Sequence, residues 1–223
     1  MILIEISHPA GALAEAEQAE IAGLITTGLM TAAGEAPAET MGRARRMTHV
    51  LFHEARGWHT GDGPVAPDAP PPFLVTMTVP EAWREEMSRQ SVAVVRKALR
   101  AYDRKHGFVR PGGDVWINVL GVADGSIGLN GKPTTATGVV AYMTEDYRAS
   151  TERTSAESAS AESTPDEALP EGVVIDPVCG MRVRLGPGAI TLEREDGTVG
   201  FCATGCRETY LEREREREAA GGA

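Results

Sequence analysis

All three cysteines of this 223-residue chain lie near its carboxyl end, at a spacing that suits a metal site. Cys202 and Cys206 are four residues apart, which places both sulfurs on one face if the segment is helical. Cys179 then approaches from a turn in which Pro177 and Gly180 supply the bend. Thiolates are good ligands for Zn²⁺ and Cu⁺, and a bound ion supplies folding free energy to a small module. We therefore predict one Zn²⁺ or Cu⁺ per chain on Cys179, Cys202 and Cys206.

The residues around these cysteines form a longer motif, Asp-Pro-Val-Cys-Gly-Met at 176–181 and Phe-Cys-x3-Cys at 201–206. The motif resembles the YHS domain, a small module related to the TRASH-type metal-binding domains, over residues 173–212. Many members of that family carry an aromatic residue and a histidine just before Phe-Cys, where this chain has Val199-Gly200. No histidine follows His106. The fourth ligand is therefore Asp176, a backbone oxygen, water or a group from another domain. The alternative is that the cysteines are small buried hydrophobic residues.

Composition narrows the range of partners and locations. The net charge is −10, and no segment carries the basic patch that a phosphate backbone requires, so we do not expect nucleic acid as a partner. Residues 1–7 have no basic region and only a short apolar run, which predicts neither a signal peptide nor a membrane span. An odd, low cysteine count argues against disulfides and favours a cytoplasmic protein with reduced thiols.

Residues 1–148 show one plan twice. Alternating apolar residues predict strands at 2–7, 47–54, 73–79 and 115–119. Apolar residues spaced by three and four predict a helix from Ala12 to Ala33 and another from Pro80 to Lys105. The stretch between the first helix and the second strand is expected to be irregular, and 134–142 is expected to add a short strand.

This pattern is an internal duplication of a strand–helix–strand unit. Strands that flank a helix pair in parallel through a right-handed crossover. Two units therefore predict an α+β fold with a four-stranded sheet and both helices on one face. The other face must be buried, and self-association is the simplest way to bury it.

The duplicated domain resembles the tautomerase superfamily in its fused two-unit form. The resemblance rests on residues 50–63, which are similar to the hydrophobic strand, acidic residue and aromatic-Gly-x-Gly turn that close each unit there. It implies a homotrimer and a catalytic amino-terminal proline that acts on keto and enol substrates. This chain has Ile2 instead of proline, and it has His49 where some members carry an arginine. If the domain is catalytic, the candidates are Met1 or His49 as the base, with Arg46 and Trp58 in the substrate pocket.

Residues 149–172 are acidic, of low complexity and free of aromatic residues, which predicts a flexible tether. The predicted organisation is thus a tautomerase-like domain at 1–148, a linker at 149–172 and a metal-binding domain at 173–215. Two functions are consistent with it. The first is a metal-binding module on a non-catalytic trimeric scaffold. The second is an isomerase acting on a small molecule, with a metal-sensing or metal-delivering domain. Ile2 favours the first.

Overall fold

The computed structural model describes residues 2–32, 37–110, 112–158, 169–195 and 197–221. Contacts within the chain define two compact units. The first comprises Met1–Ala32 and Arg46–Ala123, and the second comprises Ala33–Arg45 and Asp124–Ala223. The second unit thus draws on residues from both sides of the stretch 149–172. Among the described residues, no helix has both the length and the apolar character needed to cross a membrane.

The first unit contains the duplicated plan that the sequence predicts. Its elements are β1 (Ile2–Pro9), α1 (Glu15–Ala32), β2 (Thr48–Ala55), β3 (His59–Thr60), β4 (Gly63–Pro64), β5 (Phe73–Pro80), a 3-10 helix (Glu81–Trp83), α2 (Arg84–His106) and β6 (Val115–Val122). Helix α2 ends at Gly107, whose φ of +67° and left-handed conformation are typical of a helix C-cap.

The four long strands form one sheet in the order β2-β1-β5-β6. Strands β1 and β2 pair in parallel, with Ile2 opposite Thr48, and β5 and β6 pair in parallel, with Phe73 opposite Val115. The two halves join through the antiparallel pair β1 and β5, in which Ile6 lies opposite Val75. This topology confirms the predicted α+β fold with two strand–helix–strand units.

One face of the sheet forms the core of this unit. Alternate residues of the central strands point to that face, and α1 and α2 pack against each other over it. Its fully buried side chains include Ile4, Ile6, Ile21, Ile25, Phe73, Val75, Met77, Val95 and Leu99. Each such burial stabilises the fold by about 1.5–3 kcal/mol. The opposite face carries no helix of this unit and exposes Leu51, Leu74, Trp116 and Leu120.

The second unit is built from short strands and helices. Its elements are α3 (Ala38–Arg46), whose last residue belongs to the first unit, β7 (Ile127–Leu129), β8 (Lys132–Thr134), α4 (Ala136–Met143), α5 (Glu145–Ser158), β9 (Val173–Ile175), β10 (Arg182–Arg184), β11 (Ile190–Arg194), β12 (Gly197–Phe201) and α6 (Thr204–Gly221). The strands form three antiparallel ribbons, β7 with β8, β9 with β10, and β11 with β12.

Two local predictions in this region are wrong. The stretch expected to be irregular contains α3, and 134–142 forms α4 rather than a strand. The Thr135 side chain caps α4 by accepting a hydrogen bond from the Gly138 amide at 3.1 Å, and Asp124 Oδ1 accepts from the Ala136 amide at 2.7 Å. These caps satisfy amides that a helix start leaves unpaired, and they outweigh the strand preference of Val139 and Val140.

Helix α5 covers the first ten residues of the predicted tether, 149–158. Residues 159–168 of that tether lie outside the described residues. Helix α3 is held to α4 and α5 by one half-buried arginine. Arg43 donates to both carboxylate oxygens of Asp146 at 2.5 and 2.6 Å, to Glu145 at 2.6 Å and to the Tyr142 carbonyl at 2.8 Å. These bonds raise the pKa of Arg43 above its ordinary value, so the group stays charged.

Candidate metal centre

Cys179 lies in a tight turn between β9 and β10. The Gly180 amide donates to the Asp176 carbonyl at 2.8 Å, and the Asp176 amide donates to the Met181 carbonyl at 2.8 Å. Gly180 has a φ of +77°, which favours glycine, and a Cβ added there would lie 2.5 Å from the Tyr147 ring. The glycine of the motif is therefore required by both the conformation of the turn and its packing.

Cys202 and Cys206 lie at the junction of β12 and α6. Helix α6 begins at Thr204, so Cys206 is in its first turn and Cys202 precedes it. The expectation that one helical turn carries both residues is therefore wrong, but their sulfurs still face each other because the chain bends between them. Gly200, one of the two residues that stand where the YHS family often has an aromatic residue and a histidine, has a packing role. A Cβ at Gly200 would lie 2.5 Å from Cγ2 of Val174, so only glycine lets β12 approach β9 this closely.

The three sulfurs and one carboxylate converge on a single point. The Sγ atoms of Cys179 and Cys202 are 3.4 Å apart, and those of Cys202 and Cys206 are 3.6 Å apart. With Asp176, all four potential ligand atoms lie within 4.8 Å of one another. Zinc–sulfur bonds of about 2.3 Å at tetrahedral angles place sulfurs about 3.8 Å apart, so the sulfur spacing is close to that of a thiolate metal site. All three cysteines are free thiols.

Asp176 is fully buried and connects the two chain segments that carry the cysteines. Its Oδ1 accepts from the amides of Val178 at 2.8 Å and Cys179 at 3.4 Å, and its Oδ2 accepts from the Cys202 amide at 2.9 Å. Burial raises the pKa of Asp176, the charge of Cys179 adds to this, and the amide hydrogen bonds oppose it. Through these hydrogen bonds, both oxygens position the turn and the strand end.

The thiols differ in their ease of ionisation. The pKa of Cys179 is lowered to about 4 because the thiols of Cys202 and Cys206 donate hydrogen bonds to its sulfur. The pKa values of Cys202 and Cys206 are raised, first because each donates to Cys179 and also because both are buried. Without an ion, the cluster therefore holds one thiolate and two thiols near neutral pH. When a cation replaces the two remaining protons, all three cysteines become thiolates, and the positive charge of the cation offsets their mutual repulsion.

The surroundings of the cluster are apolar and come in part from a distant segment of the chain. Val178, Cys179 and Phe201 are almost completely buried, whereas Cys202 is half-buried and gives the cluster an accessible edge. Thr40 on α3 is buried and donates through its hydroxyl to the Cys179 carbonyl at 3.1 Å. Thr40 lies 139 residues before Cys179, and no motif in the sequence indicated that it would support the turn.

The other residues considered from the sequence are spread over the first unit. His49 is exposed on β2, Arg46 is exposed at the end of α3, and Trp58 is half-buried just before β3. Met1 lies outside the described residues. His53 contacts Glu5 at 3.2 Å, and both side chains are largely solvent-exposed. Their roles in catalysis or substrate binding therefore stay predictions.

No family model matches the chain, and no curated protein matches it. Several solved structures are similar to part of the chain. A native fused 4-OT has 17% sequence identity, covers 59% of this chain and 94% of its own chain, and gives a TM-score of 0.44. A wild-type fused 4-OT described as an asymmetric trimer has 16% identity, the same coverage and a TM-score of 0.42. The macrophage migration inhibitory factor-like protein of Entamoeba histolytica has 13% identity, covers 59% of this chain and 97% of its own, and gives a TM-score of 0.42.

These neighbours have tautomerase-superfamily folds and cover the N-terminal part of the chain. The strand order and register of this chain establish the four-stranded sheet on their own. The cysteine cluster belongs to the second unit, whose geometry makes it a candidate metal centre.

Proposed function

We propose that the protein binds one thiophilic metal ion, Zn²⁺ or Cu⁺, through Cys179, Cys202 and Cys206, in a module of the YHS type. The observation that carries the proposal is the convergence of three free sulfurs at 3.4 and 3.6 Å around a buried carboxylate. Buried cysteines that act only as small hydrophobic residues have no need of a charged neighbour, which is costly to bury. An ion bound there offsets part of the negative charge of the three thiolates and joins β9, β10, β12 and α6.

The chemistry of the donors selects the class of metal. Thiolates favour Zn²⁺ and Cu⁺ over Mg²⁺ and Ca²⁺, which prefer oxygen ligands. Three sulfurs match the trigonal preference of Cu⁺, and the carboxylate or a water completes a tetrahedral site for Zn²⁺. Because Cys202 is half-buried, an ion in this site is reachable from solvent and can be handed to or taken from another thiol ligand.

The test is the metal content of the full-length protein, measured by mass spectrometry after loading with Zn²⁺ or, under reducing conditions, Cu⁺. We expect about one ion per chain. Replacing any one of the cysteines by serine should weaken binding severely, because each supplies a thiolate. Thr191→Ser on β11 is the matched control and should bind normally. Unchanged metal content in the triple Cys→Ser protein would contradict the proposal.

For the first unit, we propose a non-catalytic, self-associating scaffold of the tautomerase type. The amide of Ile2, at the start of β1, donates to the Met47 carbonyl at 3.2 Å. The backbone nitrogen of Ile2 is thus an amide that donates a structural hydrogen bond, and it is not a free amine that could act as a base. The alternative is an isomerase that acts on keto–enol substrates, with the metal module sensing or delivering an ion.

An assay of enol-to-keto conversion distinguishes the scaffold from the isomerase. We expect the unmodified protein to show little turnover of 2-hydroxydienoate or phenylenolpyruvate, because a general base must be aimed at the proton it removes. An Ile2→Pro protein lacking Met1 tests whether a pocket remains. Robust turnover by the unmodified protein would establish the isomerase alternative, and turnover only after the substitution would indicate a pocket without its base.

A further inference from the structure

A groove of about 810 Å³ lies in the first unit, beside the outer edge of the sheet. It runs between α2, the loop that follows α2 and the edge strand β6. The apolar part of its surface comes from Val92, Leu99, Phe108, Val115 and Ile117. The volume lies within the range of small-molecule sites, about 300–1,000 Å³.

One wall of the groove carries three arginines in a row. Arg96, Arg100 and Arg104 line it at successive four-residue intervals of α2, so all three lie on one face of the helix. They are exposed, and within the described residues no carboxylate forms an ion pair with any of them. Like charges four residues apart destabilise a helix, and a bound anion removes that cost.

Two carboxylates line the groove, and they share one arginine. Arg110 donates to both oxygens of Asp103 at 2.7 Å and to Asp114 at 2.9 Å, and it also donates to the Pro71 carbonyl. Burial opposes the charge of Arg110, but hydrogen bonds to Asp103 and Asp114 outweigh it, and its pKa is raised. With four arginines and two aspartates, the lining of the groove carries a net charge of +2 in a chain whose net charge is −10.

The length of the arginine row limits the size of the ligand. Arg96 and Arg104 are eight residues apart, which is about 12 Å along a helix. Towards the start of α2, Arg89 pairs with Glu85 at 3.5 Å, so the row of arginines that have no ion pair among the described residues begins at Arg96. A nucleic acid or an extended acidic peptide therefore fits less well than a short ligand with two or three anionic groups.

From this arrangement we propose that the groove binds a small organic polyanion whose phosphate or carboxylate groups contact Arg96, Arg100 and Arg104. Its apolar part lies against Leu99 and Phe108. Guanidinium groups suit both anions, because each presents a planar pair of donors to two oxygens. The proposal concerns a site separate from the cysteine cluster and does not depend on metal binding.

Calorimetric titration of the full-length protein with tripolyphosphate and with citrate tests the proposal, and the two probes separate phosphate from carboxylate recognition. We expect one site per chain for at least one probe, with binding that weakens as salt is added. The Arg96→Ala/Arg100→Ala/Arg104→Ala protein should bind that probe at least about tenfold more weakly, since it loses the charge-assisted contacts of three guanidinium groups.

The matched control is the Arg56→Ala/Lys97→Ala/Lys132→Ala protein, which loses the same charge from exposed positions that do not line the groove. It should bind like the unmodified protein. Alanine is a good helix former, so the arginine variant should remain folded, and circular dichroism checks this. The proposal is overturned if neither probe binds at about 1 mM, or if both triple variants lose affinity equally.

Discussion

At the scale of single residues, the cysteine cluster acts as a proton-linked site. The thiols of Cys202 and Cys206 stabilise the thiolate of Cys179, and in turn they hold their own protons more tightly. A metal bound by three thiolates must therefore displace protons from two specific residues.

This arrangement predicts the number of protons released. Near pH 7, Cys179 is already ionised because its pKa is lowered to about 4, whereas Cys202 and Cys206 have raised pKa values and are protonated. Binding should release about two protons per ion, so the apparent affinity should fall about a hundredfold for each unit that the pH drops. Calorimetry in buffers of different ionisation enthalpy measures this release. Three protons per ion would indicate three independent, ordinary thiols instead.

Asp176 offers a second residue-scale prediction. Because both its oxygens accept backbone amides, we expect it to position the cysteines rather than to coordinate the ion. Asp176→Asn places an amide donor against one of those N–H groups and should weaken metal binding about 10- to 100-fold. The d–d absorption bands of bound Co²⁺ should keep their positions. A shift of these bands would make Asp176 a ligand. Glu195→Gln, an exposed carboxylate on the neighbouring hairpin, is the control.

At the scale of elements, the turn between β9 and β10 depends on helices that come earlier in the chain. Thr40 of α3 holds the Cys179 carbonyl, and the Tyr147 ring of α5 lies against Gly180. The metal centre is therefore supported by α3 and α5 as well as by the strands and helix that carry its ligands.

Gly180→Ala tests this support. The new Cβ would require a strained positive φ and would lie 2.5 Å from Tyr147 and 2.6 Å from Pro37. The backbone strain alone should lower the free energy of unfolding by about 1–3 kcal/mol, and the overlap adds to it. Gly186→Ala is the control, because a Cβ there meets no atom within 4 Å. Urea unfolding measures both variants, and equal stabilities would show that the turn is not constrained in this way.

At the scale of the whole molecule, two features bear on how the chain is assembled. The helix-free face of the first unit exposes Leu51, Leu74, Trp116 and Leu120, with Trp116 64% exposed. The second unit is assembled from segments on both sides of the acidic stretch.

We predict that copies of the chain cover this exposed face and form a homotrimer. Burying large apolar side chains between subunits is favourable by about 25 cal/mol per Å². Trp116→Glu/Leu120→Glu should therefore yield smaller species in light scattering, because it places charge in the contact. Val109→Glu is the control, since Val109 is 89% exposed and lies outside the sheet. A monomeric unmodified protein would contradict the prediction.

The low complexity of 159–172, the part of the predicted tether that follows α5, predicts that proteases cut there first. Because α3 and α4 lie before this stretch and pack in the same unit as the cysteines, the two fragments should stay together after cleavage. Size-exclusion chromatography of the cleaved protein should show one species that retains its metal. Separation of the fragments without denaturant would mean that 1–148 and the metal module fold independently.

The amino-acid sequence was enough to predict the repeated strand–helix–strand plan and to single out the three cysteines that the fold brings together. Both signals are local. Alternation along a strand and apolar spacing along a helix follow from backbone geometry, and the spacing of the cysteines is read directly from the chain. The parallel pairing within each unit then followed from the right-handed crossover, whereas the antiparallel pairing of β1 with β5 did not.

Only the tertiary structure decided which distant residues support the cysteines. Helix α3 and Thr40 lie far from the motif in sequence, and α4 forms where the local residues favour a strand. The roles of Gly180 and Gly200 in packing, the unequal acidity of the three thiols and the groove beside α2 likewise depend on atoms brought together by folding. Side-chain proximity across more than a hundred residues leaves no periodic trace in a single sequence, because it arises from the packing of whole elements.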